Sequence, residues 1–342
     1  MLPRVRVTPL DRAGPEPSLD ALLAVEPHLD YANFQPVAER AGAVQALHRE
    51  RWVAGEGQAW LARDASGRAV GALRAAPRPF ESAHFGMAMA RLEAPIAVAE
   101  AEPRLAALRA LYATARADLS AAGCAHVAAR LSTRDREGCW AVQEAGGRWV
   151  DTQVSWMCPL SGTPHDEAVP GALVLEVHDR ASVAALPRAT WKRLAEWGGT
   201  AFDRGPLVFD RTLPAARARA VYESWTERVM MGEWADAVLL ARDGDEIVAF
   251  ISMQELPDVS RAARTGVCGR GLGATLQRYR GLFSAIQREM IARRPLGASF
   301  MENETQVSTI GSMNVYAKLG FRYLRSTATF HLHLDDARAR CG

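Results

Sequence analysis

The sequence predicts an α/β protein of two related domains, and three observations support this. The chain has 342 residues, and domains of roughly 100–200 residues make two the expected number. Two kinds of segment recur in the same order in both halves of the chain. Each half reads as strand, helix, strand, helix, strand, which is the order expected of an α/β domain.

The first recurring segment is a predicted β-hairpin. Residues 59–73 read AWLARDASGRAVGAL, and residues 238–251 read VLLARDGDEIVAFI. In both, an apolar run leads into Leu-Ala-Arg-Asp, a glycine-containing polar turn and a second apolar run. The two arginines, Arg63 and Arg242, are 179 positions apart.

The second recurring segment is a helix end followed by two strands. Residues 144–160, EAGGRWVDTQVSWMCPL, match residues 318–334, KLGFRYLRSTATFHLHL, at an offset of 174. Each begins as a helix end that a glycine closes in the left-handed conformation. The nearly equal offsets indicate an ancient duplication. We therefore predict domains at 1–160 and 172–342, joined by a Pro- and Gly-rich linker at 161–171.

Composition excludes several classes of protein. Lys and Arg total 41 and Asp and Glu 39, so no excess of cations is present for nucleic-acid binding. No apolar run approaches the roughly 18 residues of a membrane span, and the N-terminus does not read as a secretory signal. The cysteines are five in number and show no C-x-x-C spacing, so we expect reduced thiols in a cytoplasmic protein.

The most informative stretch is GRGLGATLQRYRGLFSAIQREMIARR, residues 269–294. It predicts a strand over 271–276, a basic turn over 277–281 and a helix over 282–292. A glycine turn leading into a helix start is a phosphate-binding arrangement, because the first helical N–H groups lack partners and the helix dipole favours an anion. An ordinary strand, turn and helix with solvated arginines is the alternative.

A second informative stretch, residues 302–324, reads ENETQVSTIGSMNVYAKLGFRYL. A strand ends near Gln306, Ser308 or Thr309 is the predicted N-cap, and a short helix carrying Tyr316 ends at Gly320. Considered alone, Tyr316 reads as a packed core tyrosine. Four tryptophans of the second half are also expected in the core: Trp191, Trp197, Trp225 and Trp234.

These two stretches resemble motifs of the GNAT superfamily of acyl-CoA N-acyltransferases. Residues 278–283, RYRGLF, resemble its (Gln/Arg)-x-x-Gly-x-(Gly/Ala) loop, and residues 316–321, YAKLGF, resemble its Tyr-x-Lys-x-Gly-Phe segment. Thr305-Gln306 and the FHLHL ending at Leu334 are similar to segments of dTDP-fucosamine-type sugar N-acetyltransferases, in which a degenerate GNAT-like half also precedes the working half. The resemblance implies two domains, each a twisted, mixed, mostly antiparallel sheet flanked by helices.

Two departures and one competing register accompany the resemblance. Phe283 replaces the final small residue of the loop, and Thr309 replaces the usual Asn. Residues 269–273, GRGLG, match the loop almost as well, but that register requires a helix of about 23 residues with Gly281 inside it, at a cost of about 1 kcal/mol. We therefore prefer the register ending at Phe283.

The resemblance implies an acetyl-CoA-dependent N-acetyltransferase in which a small-molecule primary amine, such as a nucleotide-linked amino sugar, attacks the thioester directly. Tyr316 matches the general acid that protonates the leaving thiolate. The contacts to acetyl-CoA would come from Ala274, Thr275 and Leu276 of the strand, and from Arg278, Arg280, Gly281, Leu282, Phe283 and Ser284 of the loop and helix.

Other roles stay open at the level of sequence. Glu302 and Glu304 share one strand face and are candidates to take the amine proton, with a solvated or capping carboxylate as the alternative. His331 and His333 also share a face, but because no third ligand is evident we predict no metal. The first copy has Val142 where the second has Tyr316, and 93–105, EAPIAVAEAEPRL, in place of the loop, so it should lack a CoA site.

Alternative functions are the same chemistry on an amino acid, polyamine or antibiotic, and a non-catalytic CoA-binding regulatory module. No nucleic-acid or membrane partner is expected, and a homodimer is left open.

Overall fold

The computed structural model describes residues 5–10, 17–160, 173–269, 271–276, 278–279, 281–294 and 296–334. The predicted linker, 161–171, therefore lies outside the described residues. Two compact units are formed, one from the described parts of Met1–Gln153 and Arg325–Gly342, the other from those of Val154–Leu324.

The first unit is a sheet with helices. Its elements, with the strand that crosses the boundary at Gln153, are β1 (Arg6–Pro9), α1 (Pro17–Val25), α2 (Gln35–Ala38), α3 (Ala43–Ala54), β2 (Gln58–Arg63), β3 (Ala69–Pro77), α4 (Pro79–Phe85), β4 (Met89–Leu92), β5 (Ile96–Ala97), α5 (Ala101–Ala121), β6 (His126–Ser132), α6 (Arg136–Glu144) and β7 (Arg148–Pro159).

The second unit repeats this order, with four described helices instead of three between its first two strands. Its elements, with the strand that crosses the boundary at Leu324, are β8 (Val174–Asp179), α7 (Arg180–Ala184), α8 (Arg188–Ala201), α9 (Pro206–Phe209), α10 (Ala215–Met230), β9 (Ala237–Asp243), β10 (Glu246–Glu255), α11 (Pro257–Ala263), β11 (Val267–Gly269), β12 (Gly273–Thr275), α12 (Leu282–Arg293), β13 (Phe300–Gln306), α13 (Ile310–Lys318) and β14 (Arg322–His333).

Strand order is equivalent in the two units. In the first it is β1-β2-β3-β4-β6-β14, with β5 also pairing with β3; in the second it is β7-β13-β11-β10-β9-β8, with β12 also pairing with β10. Most neighbours are antiparallel, whereas β4 with β6 and β11 with β13 are parallel. Both sheets are thus mixed and mostly antiparallel, as the family resemblance implies.

The structure supports the internal repeat element by element. Helices α6 and α13 have the same length and begin 174 residues apart. Strand β5 pairs Ala97 with Gly71, and β12 pairs Thr275 with Ala249, so both partners are displaced by 178 residues. The correspondence therefore extends to individual backbone pairs.

The compact units divide the last strands differently from the predicted domains. From Thr327 to His333, β14 pairs with β6, so the end of the second copy belongs to the first unit. Conversely, the end of β7 from Val154 belongs to the second unit. A sequence repeat marks which segments are related, but it does not reveal which sheet a terminal strand joins.

Apolar side chains on both faces of each sheet form the cores. In the second unit, Leu239 and Val248 pack on one face with Leu282 and Ile286 of α12, while Leu240 and Phe250 pack on the other face with Leu194 of α8. Trp191, Trp197 and Trp234 pack against that second cluster, and Trp225 contacts the ring of Trp234.

Two further observations concern the described residues. The cysteines within them, Cys124, Cys139, Cys158 and Cys268, are free. Across the described ranges, no helix combines the length and apolarity needed to cross a membrane.

Candidate functional site

The candidate site begins where two strands of the second unit diverge. Strands β11 and β13 pair in parallel as far as Gly269 and Glu302. Beyond that point, in the described part of the chain, β12 pairs with β10 alone. An opening therefore separates β12 from β13, next to the start of α12.

The backbone of β12 presents polar groups to this opening. The N–H of Leu276 donates to the carbonyl of Val248 in β10. Because peptide groups alternate in direction along a strand, the N–H and C=O of Thr275 point the other way, into the opening. Of the three predicted strand contacts, Thr275 thus has backbone groups without a partner among the described residues, whereas Ala274 and Leu276 direct theirs towards β10.

The structure has a helix start at the position that the preferred register predicts. Helix α12 begins at Leu282, and Gly281 is its N-cap with φ of 81°. Among the described residues, and apart from its chain neighbours and the backbone of its own helix, no atom lies within 4 Å of the position that a Cβ on Gly281 would take. Ser284 and Phe283, on the first turn, are half-buried. The helix start is therefore an open cradle into which an anion could fit.

The competing register does not produce a helix start. Its glycines lie in and between β11 and β12. A Cβ on Gly269 would come within 1.8 Å of the carbonyl oxygen of Glu302, and one on Gly271 within 1.7 Å of that of Ser252. These glycines are thus explained by close backbone approach between strands.

The described side chains of the loop turn towards the β9–β10 hairpin. The guanidinium of Arg278 forms an ion pair with Glu246, and the Tyr279 hydroxyl donates to Asp243 Oδ2 at 2.6 Å. Arg280 lies outside the described residues. At Arg278, the predicted positive charge is therefore partly neutralised by Glu246 in this structure.

Tyr316 lies on α13 within an aromatic cluster. Its ring centroid is 5.1 Å from that of Phe321, 6.2 Å from Phe283 and 6.4 Å from Trp156. Burial raises the pKa of the phenol, and the charge of Glu304 raises it further. The hydroxyl consequently keeps its proton at neutral pH, and Glu304 is electrostatically close to it.

The two candidate glutamates differ in environment. On β13, Asn303 donates to Gln287 of α12 at 3.1 Å, so Glu302 and Glu304 point to the opposite face, as predicted. Glu302 is fully buried (0% exposed). Glu304 is half-buried and accepts a hydrogen bond from Ser155 Oγ at 3.0 Å.

Ser155 and Trp156 are site neighbours that the sequence did not suggest. Both belong to β7, the last strand of the first sequence copy, yet they contact Glu304 and Tyr316 of the second. The Nε1 of Trp156 is buried and has no hydrogen-bond partner in the described structure. No sequence signal marks these residues, because 149 positions separate Ser155 from Glu304.

The histidines of β14 lie in the first unit. The ring of His126 contacts those of His331 and His333, at centroid distances of 4.5 and 5.0 Å. A third imidazole thus adjoins the pair, a neighbour that the sequence does not reveal. The absence of a metal stays a prediction.

In the first unit, ionic side chains occupy the place equivalent to the opening. Ala97, the counterpart of Thr275, donates its N–H to Glu26 Oε2 at 2.7 Å. Arg104 donates to Glu26 at 3.0 Å and to Asp135 at 2.9 Å, and also to the Ala97 carbonyl. Val142, the counterpart of Tyr316, is fully buried.

No family model matches the sequence, and no curated protein matches it. Solved structures do match: a GCN5-related N-acetyltransferase from Sphaerobacter thermophilus aligns over 96% of both chains, with 14% identity and a TM-score of 0.56.

Two further structures resemble the whole chain. A tandem GNAT protein from the clavulanic acid biosynthesis pathway is 15% identical, with a TM-score of 0.50 over 97% of this chain and 99% of its own. A GCN5-related glucosamine N-acetyltransferase region of a fungal multi-domain protein is 14% identical, with a TM-score of 0.55 over 96% of this chain and 38% of its own. The chain therefore has the GCN5-related N-acetyltransferase fold in tandem, which confirms the predicted fold class.

Proposed function

From this doubled fold we propose that the chain is an acetyl-CoA-dependent N-acetyltransferase whose second unit carries the site. One observation carries the proposal: β12 and β13 diverge beside a glycine-capped helix start, and Tyr316 lies nearby. A fold alone does not establish an activity. It is the combination of an anion cradle, free strand backbone and a proton donor that supports acyl transfer.

The residues of the second unit have distinct proposed roles. The amides at the start of α12, from Gly281 to Ser284, would hold the diphosphate of acetyl-CoA, and Thr275 would hydrogen-bond its pantetheine arm. Acetyl-CoA supplies the activated acetyl group. The substrate nitrogen forms the new C–N bond as the C–S bond breaks.

Tyr316 is proposed to give its phenolic proton to the departing sulfur. Glu304 is preferred over Glu302 for taking the proton from the amine, because Glu302 is fully buried whereas Glu304 is partly exposed. The proton would reach Glu304 directly or through water.

The proposed acceptor is a small primary amine, and a nucleotide-linked amino sugar is the first to test. Support comes from the similarity of Thr305-Gln306 and the FHLHL ending to sugar N-acetyltransferases. The matching fungal region is also named as a glucosamine N-acetyltransferase. The proposed location is the cytoplasm, in keeping with the free thiols.

The experiment is an acetyl-CoA consumption assay over amino sugars, including dTDP-linked ones, and over amino acids, polyamines and aminoglycosides. We expect thiol release with at least one amine and a product heavier by one acetyl group in mass spectrometry. CoA binding without turnover on any amine would favour the regulatory module instead. Absence of both would contradict the proposal.

A further inference from the structure

Neighbouring side chains cover most of Tyr316 in this structure. A thioester sulfur has to come within hydrogen-bond distance of the phenol, yet Tyr316 is only 5% exposed. The rings of Trp156, Phe283 and Phe321 contact it. These rings leave only a small part of Tyr316 open, so the approach of an acyl-CoA sulfur to the hydroxyl is narrow.

Of these three rings, Phe283 is the one that lies at the start of α12. Phe321 is 4% exposed and belongs to the same core cluster as Tyr316, and Trp156 is half-buried in the long strand β7, with its indole Nε1 buried. Phe283 is also half-buried, two residues after Gly281, whose Cβ position is open among the described atoms. Rotation about χ1, between rotamers that helices permit, would turn its ring towards solvent without moving the backbone.

The position of the Phe283 ring places it on the path of the ligand. Its Cε2 is 3.7 Å from the point that a Cβ on Gly273 would take, so the ring lies against β12. On its other side it contacts Tyr316. The pantetheine arm, held with its diphosphate at the start of α12, would run along β12 to Tyr316 and meet this ring.

We propose that Phe283 is a gate for the pantetheine arm, an inference that rests on the proposed function. With the ring inward, Tyr316 is covered and the phenol is kept in an apolar setting that raises its pKa. With the ring outward, the path along β12 opens and the hydroxyl can meet the sulfur. The bulky residue at the end of the loop motif thereby controls access of the acyl donor, while the nucleotide contacts are unaffected.

The gate has a quantitative consequence for affinity. When only a fraction of molecules is competent to bind, the apparent Kd rises by the inverse of that fraction. Minor states commonly have populations of about 0.1–10%, so removing the ring should tighten CoA binding by about 10-fold or more. The nucleotide portion alone does not pass the ring, so its affinity should not change.

The test compares wild type with Phe283→Ala in calorimetric titrations of two ligands, CoA and 3′-phosphoadenosine 5′-diphosphate, which lacks the pantetheine arm. We expect Phe283→Ala to bind CoA about 10-fold more tightly and the nucleotide with unchanged affinity. The matched control is Phe321→Leu, which alters another ring on Tyr316 but not the path along β12. Its CoA affinity should equal that of wild type.

If the alanine variant does not fold, Phe283→Leu takes its place in the titrations. We expect a smaller gain in CoA affinity from the leucine variant. Equal or weaker CoA binding in the Phe283 variants, with the nucleotide still bound, would overturn the gate and leave the proposed function intact. Failure of both ligands to bind any of the proteins would overturn the proposed function, and the gate with it.

Discussion

At the scale of single residues, Tyr316 shows how environment defines a chemical role. Burial and the nearby Glu304 both raise the pKa of its phenol. A raised pKa keeps the proton on the oxygen at neutral pH, but it also makes the phenol a weaker donor to a thiolate. Opening the site should therefore admit the acyl donor and also lower the pKa of the phenol towards its ordinary value. Contact with water and substrate reduces the burial that raises this pKa.

The first prediction is that Tyr316→Phe lowers the rate of acetyl transfer by about 10²–10⁴-fold, the range for loss of a positioned general acid. The ring remains, so packing and CoA affinity should change little, and the loss should appear in kcat. Single-turnover measurement with an active amine is the appropriate assay, because slow product release would mask part of the effect.

Tyr112→Phe is the matched control for this substitution. Tyr112 is fully buried on α5 of the first unit, and its hydroxyl has no partner in the described structure. Its removal should leave the activity unchanged and the stability equal or slightly higher. Full activity of Tyr316→Phe would remove that residue from the mechanism.

The second prediction concerns Gly281, whose φ of 81° lies in the left-handed region. Gly281→Val should weaken CoA binding by about 10-fold or more, since a branched side chain hinders close approach of the diphosphate. Gly297→Val is the control, because Gly297 also has positive φ (63°) and open surroundings but lies beyond the other end of α12. Calorimetric titration should separate the two; equal affinities would mean that the diphosphate binds elsewhere.

At the scale of elements, α5 and α12 show how two related helices acquired different surroundings. Helix α12 starts behind an open glycine turn, whereas Arg104 of α5 reaches between two carboxylates. Burial alone would lower the pKa of the Arg104 guanidinium, but Asp135 and Glu26 outweigh it and raise the pKa. In the first unit, paired charges thus occupy the place that is open in the second unit.

The third prediction is that Arg104→Met lowers the free energy of unfolding by about 3–5 kcal/mol, because it leaves Glu26 and Asp135 buried without a counter-charge. Arg109→Met, on the same helix, removes only an exposed pair with Glu144 and should lower the free energy of unfolding much less. Urea denaturation of both variants provides the measurement. Equal effects would show that the buried cluster contributes no more than a surface pair.

At the scale of the whole molecule, the duplication yields two units but one set of site residues. In the first unit, the helix equivalent to α12 has no glycine cap: the N-cap of α5 is Glu100, with extended backbone. An acidic N-cap would repel a diphosphate. The first unit also has Val142 where the second unit has Tyr316.

The fourth prediction is that each chain binds one CoA, in the second unit. Calorimetric titration should give a stoichiometry of one, and a ligand-bound structure should have CoA on residues 274–284. Two molecules per chain, or CoA seated on residues 60–140, would contradict it. Sedimentation of the full chain measures whether it forms a homodimer.

Local patterns in the sequence determined a substantial part of the architecture. The start of α12 at Leu282 and the shared face of Glu302 and Glu304 follow from spacing over a few residues. The repeat follows from the similarity of short segments 174 and 179 positions apart. Turn chemistry and strand alternation are local, so they can be read directly. Tyr316, in contrast, gained its proposed role only from resemblance to a family motif.

Only the tertiary structure decided which distant residues meet. It brings Ser155 and Trp156 of the first copy to Glu304 and Tyr316, and it exchanges the ends of the last strands between units. It also turns Phe283 inward, towards Tyr316. These outcomes depend on long-range packing, in which partners far apart in sequence compete for the same apolar surface, and no local periodicity records which of them wins.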